Sequence, residues 1–483
     1  MFSLIGDFGK AHRRFKYRED EQGYLACKVS EEDDQIYVNK VGTFGITSTP
    51  YWWSRLSGAL LRLGHYLVGP VPIEALLYAD DLETMGVGKE GRKGQVLMFV
   101  ILAALGSPFK WKKQRGGMVT EWIGLTTDFG GYALGLSERR AGWLVGWMRK
   151  LCEKKLVSPR EFAAGLGRLG FAATVLLWEK PFLGPLYVWA AAIREQRGEV
   201  IPWAILSILD WLSSRLEEGG RMEAVREEEL GHGKEVTFYT DARASEVEAC
   251  IGGHLAISPD KKLCPRAWFS FRVDEVMAPW LMKRGGNPKR MIAALELLAT
   301  LVAVKLWGGG RSTALRARAK AFTDNRGNAL AVLKGMSTKF PLTLLLMELT
   351  EELRSKDLKL DLEWVRREEN VEADALSNED WKDFSEELRD VRRPEEIGWK
   401  VLDKLQVRGE ELYVQIQELK EQRSKRKRVA GLGKACRASK KVLSKWWVTE
   451  IGSCPWFLRQ DPGAGTHWEA VVSVKRLRIN PLG

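Results

Sequence analysis

No C-x-x-C pair occurs among the six cysteines (Cys27, Cys152, Cys250, Cys264, Cys436 and Cys454). That spacing excludes the common zinc-ligand motifs and offers no disulfide framework. A reducing intracellular compartment, nucleus or cytoplasm, is therefore expected. Histidine is scarce as well, and the five present show no metal-ligand spacing. The longest apolar stretch, Val96 to Leu105, is too short to cross a bilayer. The N-terminus lacks a basic region followed by an apolar core, so no signal peptide is read there. No membrane partner is expected.

What is present is ordinary in bulk and uneven in detail. The 483 residues are 45% hydrophobic and 29% charged, the balance of a soluble globular protein. That length accommodates roughly two to four domains. Twenty tryptophans suit stacking as well as core packing. Residues 401–483 hold 17 Lys and Arg against 8 Asp and Glu, so +9 of the net +12 falls in that last stretch. Such asymmetry points to an anionic partner, with nucleic acid the first candidate. The basic run Arg423 to Arg428 fits a nuclear-import signal, a phosphate-binding tail or a solvated helix end equally well.

Strands alternate with helices over residues 1–135. Phe2 to Ile5 reads as a strand ending at Gly6-Asp7, and Ile36 to Val41 as another. Ser48-Thr49-Pro50 opens a helix to about Tyr66, with a hydroxyl cap and proline in the first turn. A hairpin around Asp80-Asp81, a helix from about Arg92 to Leu105 and a strand from Glu121 to Thr127 follow. Residues 136–216 turn helical, and Trp143, Trp147 and Leu151 share a face that reads as core. A polar segment at 217–235 reads as a linker. A second α/β unit covers 236–378. Its strands are Val236–Tyr239, Ala249–Ala256, Ala319–Thr323 and Leu358–Val365, and its helices are Met291–Leu306, Asn328–Lys334 and Leu342–Leu353. Residues 379–483 read as a charged helical segment and a basic tail.

Tyr78-Ala79-Asp80-Asp81 sits between two short apolar runs, where a strand-turn-strand would place both carboxylates at the tip. Adjacent carboxylates repel, and a divalent cation is what most often neutralises such a pair. An acidic turn in solvent is the plainer alternative for the tetrapeptide by itself. Asp7, which also ends an apolar strand, lies 73 residues upstream and supplies a third carboxylate.

These segments resemble reverse transcriptases. Asp7-Phe8-Gly9-Lys10-Ala11-His12-Arg13 is similar to the first palm motif, Phe44-Gly45 with Pro50 to the second, and Tyr78-Ala79-Asp80-Asp81 to the third. Leu105 to Lys113 resembles the fourth and Glu121-Trp122-Ile123-Gly124-Leu125 the fifth. The variety looks nearest to retrotransposon enzymes of the DIRS or tyrosine-recombinase kind. The resemblance implies Asp7, Asp80 and Asp81 as catalytic ligands of Mg²⁺ or Mn²⁺. It further implies Gly45 under the template base pair, and Lys110 or Lys112 near the incoming dNTP. As residues alone, those lysines fit a solvated charge run equally. His12 stands where the family usually has Tyr or Phe beneath the ribose, which leaves sugar selectivity open. The sequence begins six residues before Asp7, so the fingers region is not in it. The expectation is a palm without fingers, with a truncated or decayed copy as the alternative, binding nucleic acid without polymerase activity.

Asp241, Glu296, Asp324 and Asp374 form a second set, spaced 55, 28 and 50 residues apart. Two are read at strand ends, one on a helix and one at a helix start; four converging carboxylates could hold two divalent ions for phosphodiester hydrolysis. Thr240-Asp241-Ala242, Leu295-Glu296-Leu297-Leu298, Thr323-Asp324-Asn325 and Asn370 to Ser377 resemble the ribonuclease H domain of retroelements. Glu372 and the pair Arg366-Arg367 read as solvated surface. The resulting expectation is an α/β fold: an α+β palm of a right-hand polymerase, a helical thumb or connection, a ribonuclease H-like α/β domain and a basic tail. The implied partners are RNA or DNA template-primer, RNA–DNA hybrid and dNTPs.

Overall fold

The computed structural model describes residues 1–27, 30, 35–43, 46–193, 198–224, 236–256, 265–274, 277–278, 288–308, 317–392, 396 and 398–429. The fold is mixed α/β. The described residues divide into two compact units, one within residues 1–134 and one within residues 135–429. Gly45 and residues 225–235 of the expected linker lie outside the described residues, as does everything after residue 429.

In the first unit, β1 (Phe2–Asp7), β2 (Ile73–Tyr78), β3 (Asp81–Gly86) and β4 (Arg115–Gly117) form one antiparallel sheet in the order β2-β3-β1-β4. Helices α1 (Ser48–Val68) and α2 (Gly88–Ala104) supply its apolar cover. Phe8, Trp53, Leu82, Met98, Phe99, Leu102 and Phe109 make the core. Complete burial of a side chain such as Leu82 or Met98 contributes roughly 1.5–3 kcal/mol before chain entropy is counted. A Cβ on Gly91 would meet the Gly86 carbonyl carbon at 2.8 Å, so glycine is what lets α2 lie against the end of β3.

Three local expectations change here. The strand read at Ile36–Val41 shrinks to the pair Tyr37–Val38, bonded to Ala26–Cys27. The hydroxyl cap read at Ser48 is absent: the N-cap is Thr47, without a side-chain cap bond. The Ser48 and Thr49 hydroxyls instead meet the Tyr17 hydroxyl at 2.8 and 2.7 Å. The strand read at Glu121–Thr127 is a hairpin, β5 (Val119–Trp122) and β6 (Leu125–Asp128). Ile123 and Gly124 turn the chain there with φ of 46° and 85°, which an alternation count cannot register.

The second unit begins with helices α3 (Glu138–Lys154), α4 (Pro159–Ala172), α5 (Leu183–Ile193) and α6 (Trp203–Glu217). Ser158 caps α4 by accepting from Glu161 N, and Pro159 occupies the first turn. Trp147 and Leu151 are buried as expected, whereas Trp143 stays exposed beneath the Arg168 guanidinium, 3.8 Å above its ring.

The same unit holds a five-stranded mixed sheet: β7 (Val236–Ala244), β8 (Ala249–Ala256), β9 (Pro265–Arg272), β10 (Ala317–Thr323) and β11 (Leu358–Trp364). Its order is β9-β8-β7-β10-β11, antiparallel through the first three strands and parallel thereafter. Strand β9 was not foreseen, and β7 runs on past Asp241, which lies within the strand and not at its end. Helix α7 (Ile292–Trp307) is apolar on nearly every side and correspondingly buried. The elements α8 (Arg326–Lys334), α9 (Leu342–Lys356), α10 (Val371–Ser377) and α11 (Leu402–Val429) complete it. The helical segment expected from residue 379 begins only at Leu402. Its start is held by Glu348, fully buried on α9, whose carboxylate accepts from the backbone N–H of Lys400, Val401 and Leu402. Lys305, also buried, neutralises Glu348 at 3.1 Å.

Candidate functional site

Two carboxylate clusters emerge, one in each unit. In the first, the antiparallel register of β1 and β3 sets Asp7 directly opposite Asp81. The β2–β3 turn is tight: Ala79 adopts φ 51°, a left-handed conformation that costs a non-glycine residue roughly 1 kcal/mol. Trp53 Nε1 donates to the Ala79 carbonyl at 2.8 Å, and Phe8 N donates to the Asp80 carbonyl, also at 2.8 Å. The strained turn is thus pinned from α1 and from β1 together. Burial pushes the Asp81 carboxyl up from its ordinary range, aided by the neighbouring charges of Asp80 and Asp7.

The chain supplies its own counter-charge. Lys110 Nζ donates to both Asp7 carboxylate oxygens, at 2.7 and 2.9 Å. Lys113 Nζ lies 3.6 Å from the same carboxylate. Of the two lysines singled out in the sequence, Lys110 therefore meets the cluster, while Lys112 is exposed on the Trp111–Lys113 turn. His12 sits on the short 3-10 turn Ala11–Arg14 that follows β1. Glu83, buried one turn of the pleat beyond Asp81, accepts from Ser3 Oγ at 2.7 Å, and burial raises its pKa.

The second cluster draws on four elements. Asp241 lies within β7, Glu296 on α7, Asp324 after β10, and Asp374 in the first turn of α10. Asn325 caps α8 by accepting from Gly327 N and Asn328 N, which fixes the segment carrying Asp324. Across the sheet Asp241 faces Gly252. A Cβ there would meet Ser377 N at 2.5 Å, so the glycine lets α10 descend onto the sheet. That approach brings Ser377 Oγ to Asp241 Oδ2 at 2.7 Å. Thr240 and Thr300 hydroxyls, 3.1 Å apart, tie β7 to α7 beside Glu296.

The electrostatics record this convergence. Burial, opposed by the Ser377 hydrogen bond and reinforced by Asp324 and Asp374, pushes Asp241 up to about 6. Burial and the charges of Asp324 and Asp241 push Glu296 up to about 8. Burial also raises Asp324, against the opposing charge of Arg367. Glu296 Oε2 is buried without a hydrogen-bond partner. An all-oxygen donor set with an orphaned buried carboxylate oxygen suits a hard cation such as Mg²⁺ or Mn²⁺. Among the described residues, no three acidic, His or Cys side chains stand arranged as a metal cage. Lys110 bonds Asp7, Ser377 bonds Asp241, and Arg367 Nη2 holds Asp374 Oδ1 at 2.6 Å.

Arg367, Ser377 and Lys113 were not assigned site roles from the sequence, and Arg367 was read as solvated surface. Arg367 is largely exposed, yet it pairs with the cluster. It lies seven residues before Asp374, but no residue pattern in that interval marks the pairing. Among the described residues no helix is long and apolar enough to cross a membrane.

No family model matches the sequence, and no curated protein matches it. Solved structures of a foamy viral protease-reverse transcriptase are similar to it. The dRH form in complex with double-stranded DNA is 15% identical with a TM-score of 0.37, over 75% of this chain and 56% of that chain. The one in complex with RNA/DNA hybrid is 13% identical with a TM-score of 0.36, over 75% of this chain and 44% of that chain. A further complex with double-stranded DNA is 15% identical with a TM-score of 0.36, covering 67% of its chain. The chain thus spans about half the length of the first two.

Proposed function

We propose that the chain is a retroelement RNA-directed DNA polymerase palm joined to a ribonuclease H-like hydrolytic domain, working on nucleic acid in the nucleus or cytoplasm. The observation that carries this reading is the register of Asp7 against Asp81 with Asp80 at the adjoining turn, which gathers three carboxylates at one sheet end. Asp7, Asp80 and Asp81 would hold divalent cations in the first cluster, and Asp241, Glu296, Asp324 and Asp374 in the second. When bound, Mg²⁺ or Mn²⁺ supplies charge neutralisation and activates the attacking oxygen.

The chain's own residues do the positioning. Trp53 and Phe8 hold the turn that presents Asp80. Lys110, bonded to Asp7, would pass its ammonium to an incoming triphosphate. Gly45 and His12 would line the template-dNTP pair. In the second cluster, Ser377 orients Asp241 while Glu296 keeps an oxygen free. There, hydrolysis forms one bond from water oxygen to phosphorus and breaks one ester P–O bond, whose oxygen takes up a proton.

Primer extension on an oligonucleotide-primed RNA template, with dNTPs and Mg²⁺, tests the polymerase assignment. Asp80→Asn is expected to lower extension by at least about a hundredfold; extension that survives it removes the site from consideration. Cleavage of the RNA strand in an RNA–DNA hybrid tests the second cluster, and Asp324→Asn is expected to abolish it. A second reading, binding without polymerisation, is favoured by Lys110, which already occupies both oxygens of Asp7. It predicts salt-sensitive binding with no extension.

A further inference from the structure

We propose that Asn328 is a positioning residue of the second cluster: by tying the first turn of α8 to the first turn of α7, it sets the spacing at which Asp324 and Glu296 share a divalent cation. This role presupposes the hydrolytic reading above. Asn328 is 1% exposed, and its Nδ2 donates to the Ala293 carbonyl at 2.8 Å. Ala293, Glu296 and Thr300 recur at i, i+3 and i+7 on α7, so they share one face of it. Thr300 makes a second tie, its hydroxyl 3.1 Å from that of Thr240, the residue before Asp241. Glu296 thus lies between two latches, one to α8 beside Asp324 and one to β7 beside Asp241. Asn325 stiffens the first latch, because it caps α8 by accepting from Gly327 N and Asn328 N at 2.8 and 3.2 Å.

Stability alone does not call for an asparagine at this position. Its Oδ1 is buried with no hydrogen-bond partner among the described residues, a condition that costs free energy. A leucine has nearly the same shape and would leave no orphaned oxygen there. The Ala293 carbonyl does not need the amide either, since the helix supplies it with the N–H of Leu297, four residues on. Glu296 Oε2 also has no partner, so where that oxygen lies follows from where α7 lies. Two carboxylates that share a cation must stand at a fixed separation, set for Mg²⁺ by metal–oxygen lengths of about 2.0–2.1 Å. The Asn328–Ala293 bond applies that constraint directly between the helix that carries Glu296 and the helix that follows Asp324.

Mn²⁺ titration of the full chain gives a readout independent of turnover, with Asp324→Asn subtracting whatever binds at the first cluster. Asn328→Leu is expected to leave the thermal midpoint within about 2 °C of the parent. It should nevertheless weaken Asp324-dependent Mn²⁺ binding by about tenfold. In hybrid cleavage it should lower kcat by about tenfold with KM within about twofold, because a buried residue touches no part of the substrate. Asn328→Ala also leaves a cavity; it should lower the midpoint, yet weaken Mn²⁺ binding by the same factor as Asn328→Leu. Losses of affinity that instead follow the loss of midpoint across the two variants overturn the proposal. Failure of both variants to fold overturns it too, since the residue would then serve the fold. Parental Mn²⁺ affinity and kcat in Asn328→Leu overturn it while leaving the hydrolytic reading standing. No Asp324-dependent Mn²⁺ binding in the parent chain overturns both.

Discussion

Glu296 and Glu179 are both buried acids, but their surroundings assign them different chemistry. Glu296 sits among other carboxylates with an oxygen left over, which is the condition a cation relieves. Glu179, on the turn preceding α5, faces Arg215 at 3.3 Å, and Arg215 is shared with Glu351 at 3.4 Å. Burial outweighs that pairing and pushes the Glu179 carboxyl up to about 7. A carboxyl raised in the folded state favours folding only while protonated. Its contribution is complete below the ordinary glutamate range and is lost as pH rises through about 7. Thermal unfolding between pH 5 and 8 should therefore show a fall in midpoint that Glu179→Gln flattens, with an upper bound of about 3 kcal/mol. An unchanged slope in the variant would falsify the assignment. Glu179 was invisible in the sequence because its burial comes from helices distant along the chain.

At the scale of elements, close approach decides whether carboxylates meet. Gly252 on β8 is the point where α10 touches the sheet, with Ser377 N and the Leu376 carbonyl carbon at 2.5 and 2.7 Å from an added Cβ. Gly252→Ala should push α10 outward, carrying Asp374 and Ser377 away from Asp241. The expected cost is about 1–3 kcal/mol in denaturant unfolding, together with loss of hybrid cleavage although no acid has changed. Cleavage at the parental rate would show that α10 can shift without consequence. Strands β8 and β10 and helices α7 and α9 were legible to within a few residues, because their apolar residues recur at the period of the element that forms. The β5–β6 hairpin was not, since its turn uses Ile123 at φ 46° and no Asn-Gly signal.

For the whole molecule, the two clusters belong to different compact units, so their activities should separate. Asp80→Asn should leave hybrid cleavage within twofold of the parent, and Asp324→Asn should leave primer extension similarly intact; a variant that abolishes both activities would argue for a single shared site. The net charge of +12 predicts binding to nucleic acid that weakens by about a hundredfold between about 50 and 200 mM salt. A flat salt response in fluorescence anisotropy would mean that phosphate neutralisation is not what holds the strand.

Sequence alone determined the α/β class, the candidate carboxylates and most of the long elements, because strand and helix periodicity and strand-end acids are local properties of the chain. Tertiary structure decided which acids face each other, through the Asp7–Asp81 register and the Gly252 contact. It also decided which cations answer them. Lys110 and Arg367 reach their partners across 103 and 7 residues respectively. Charge pairing at a distance depends on how sheets and helices pack, and no spacing of residues along the chain records it.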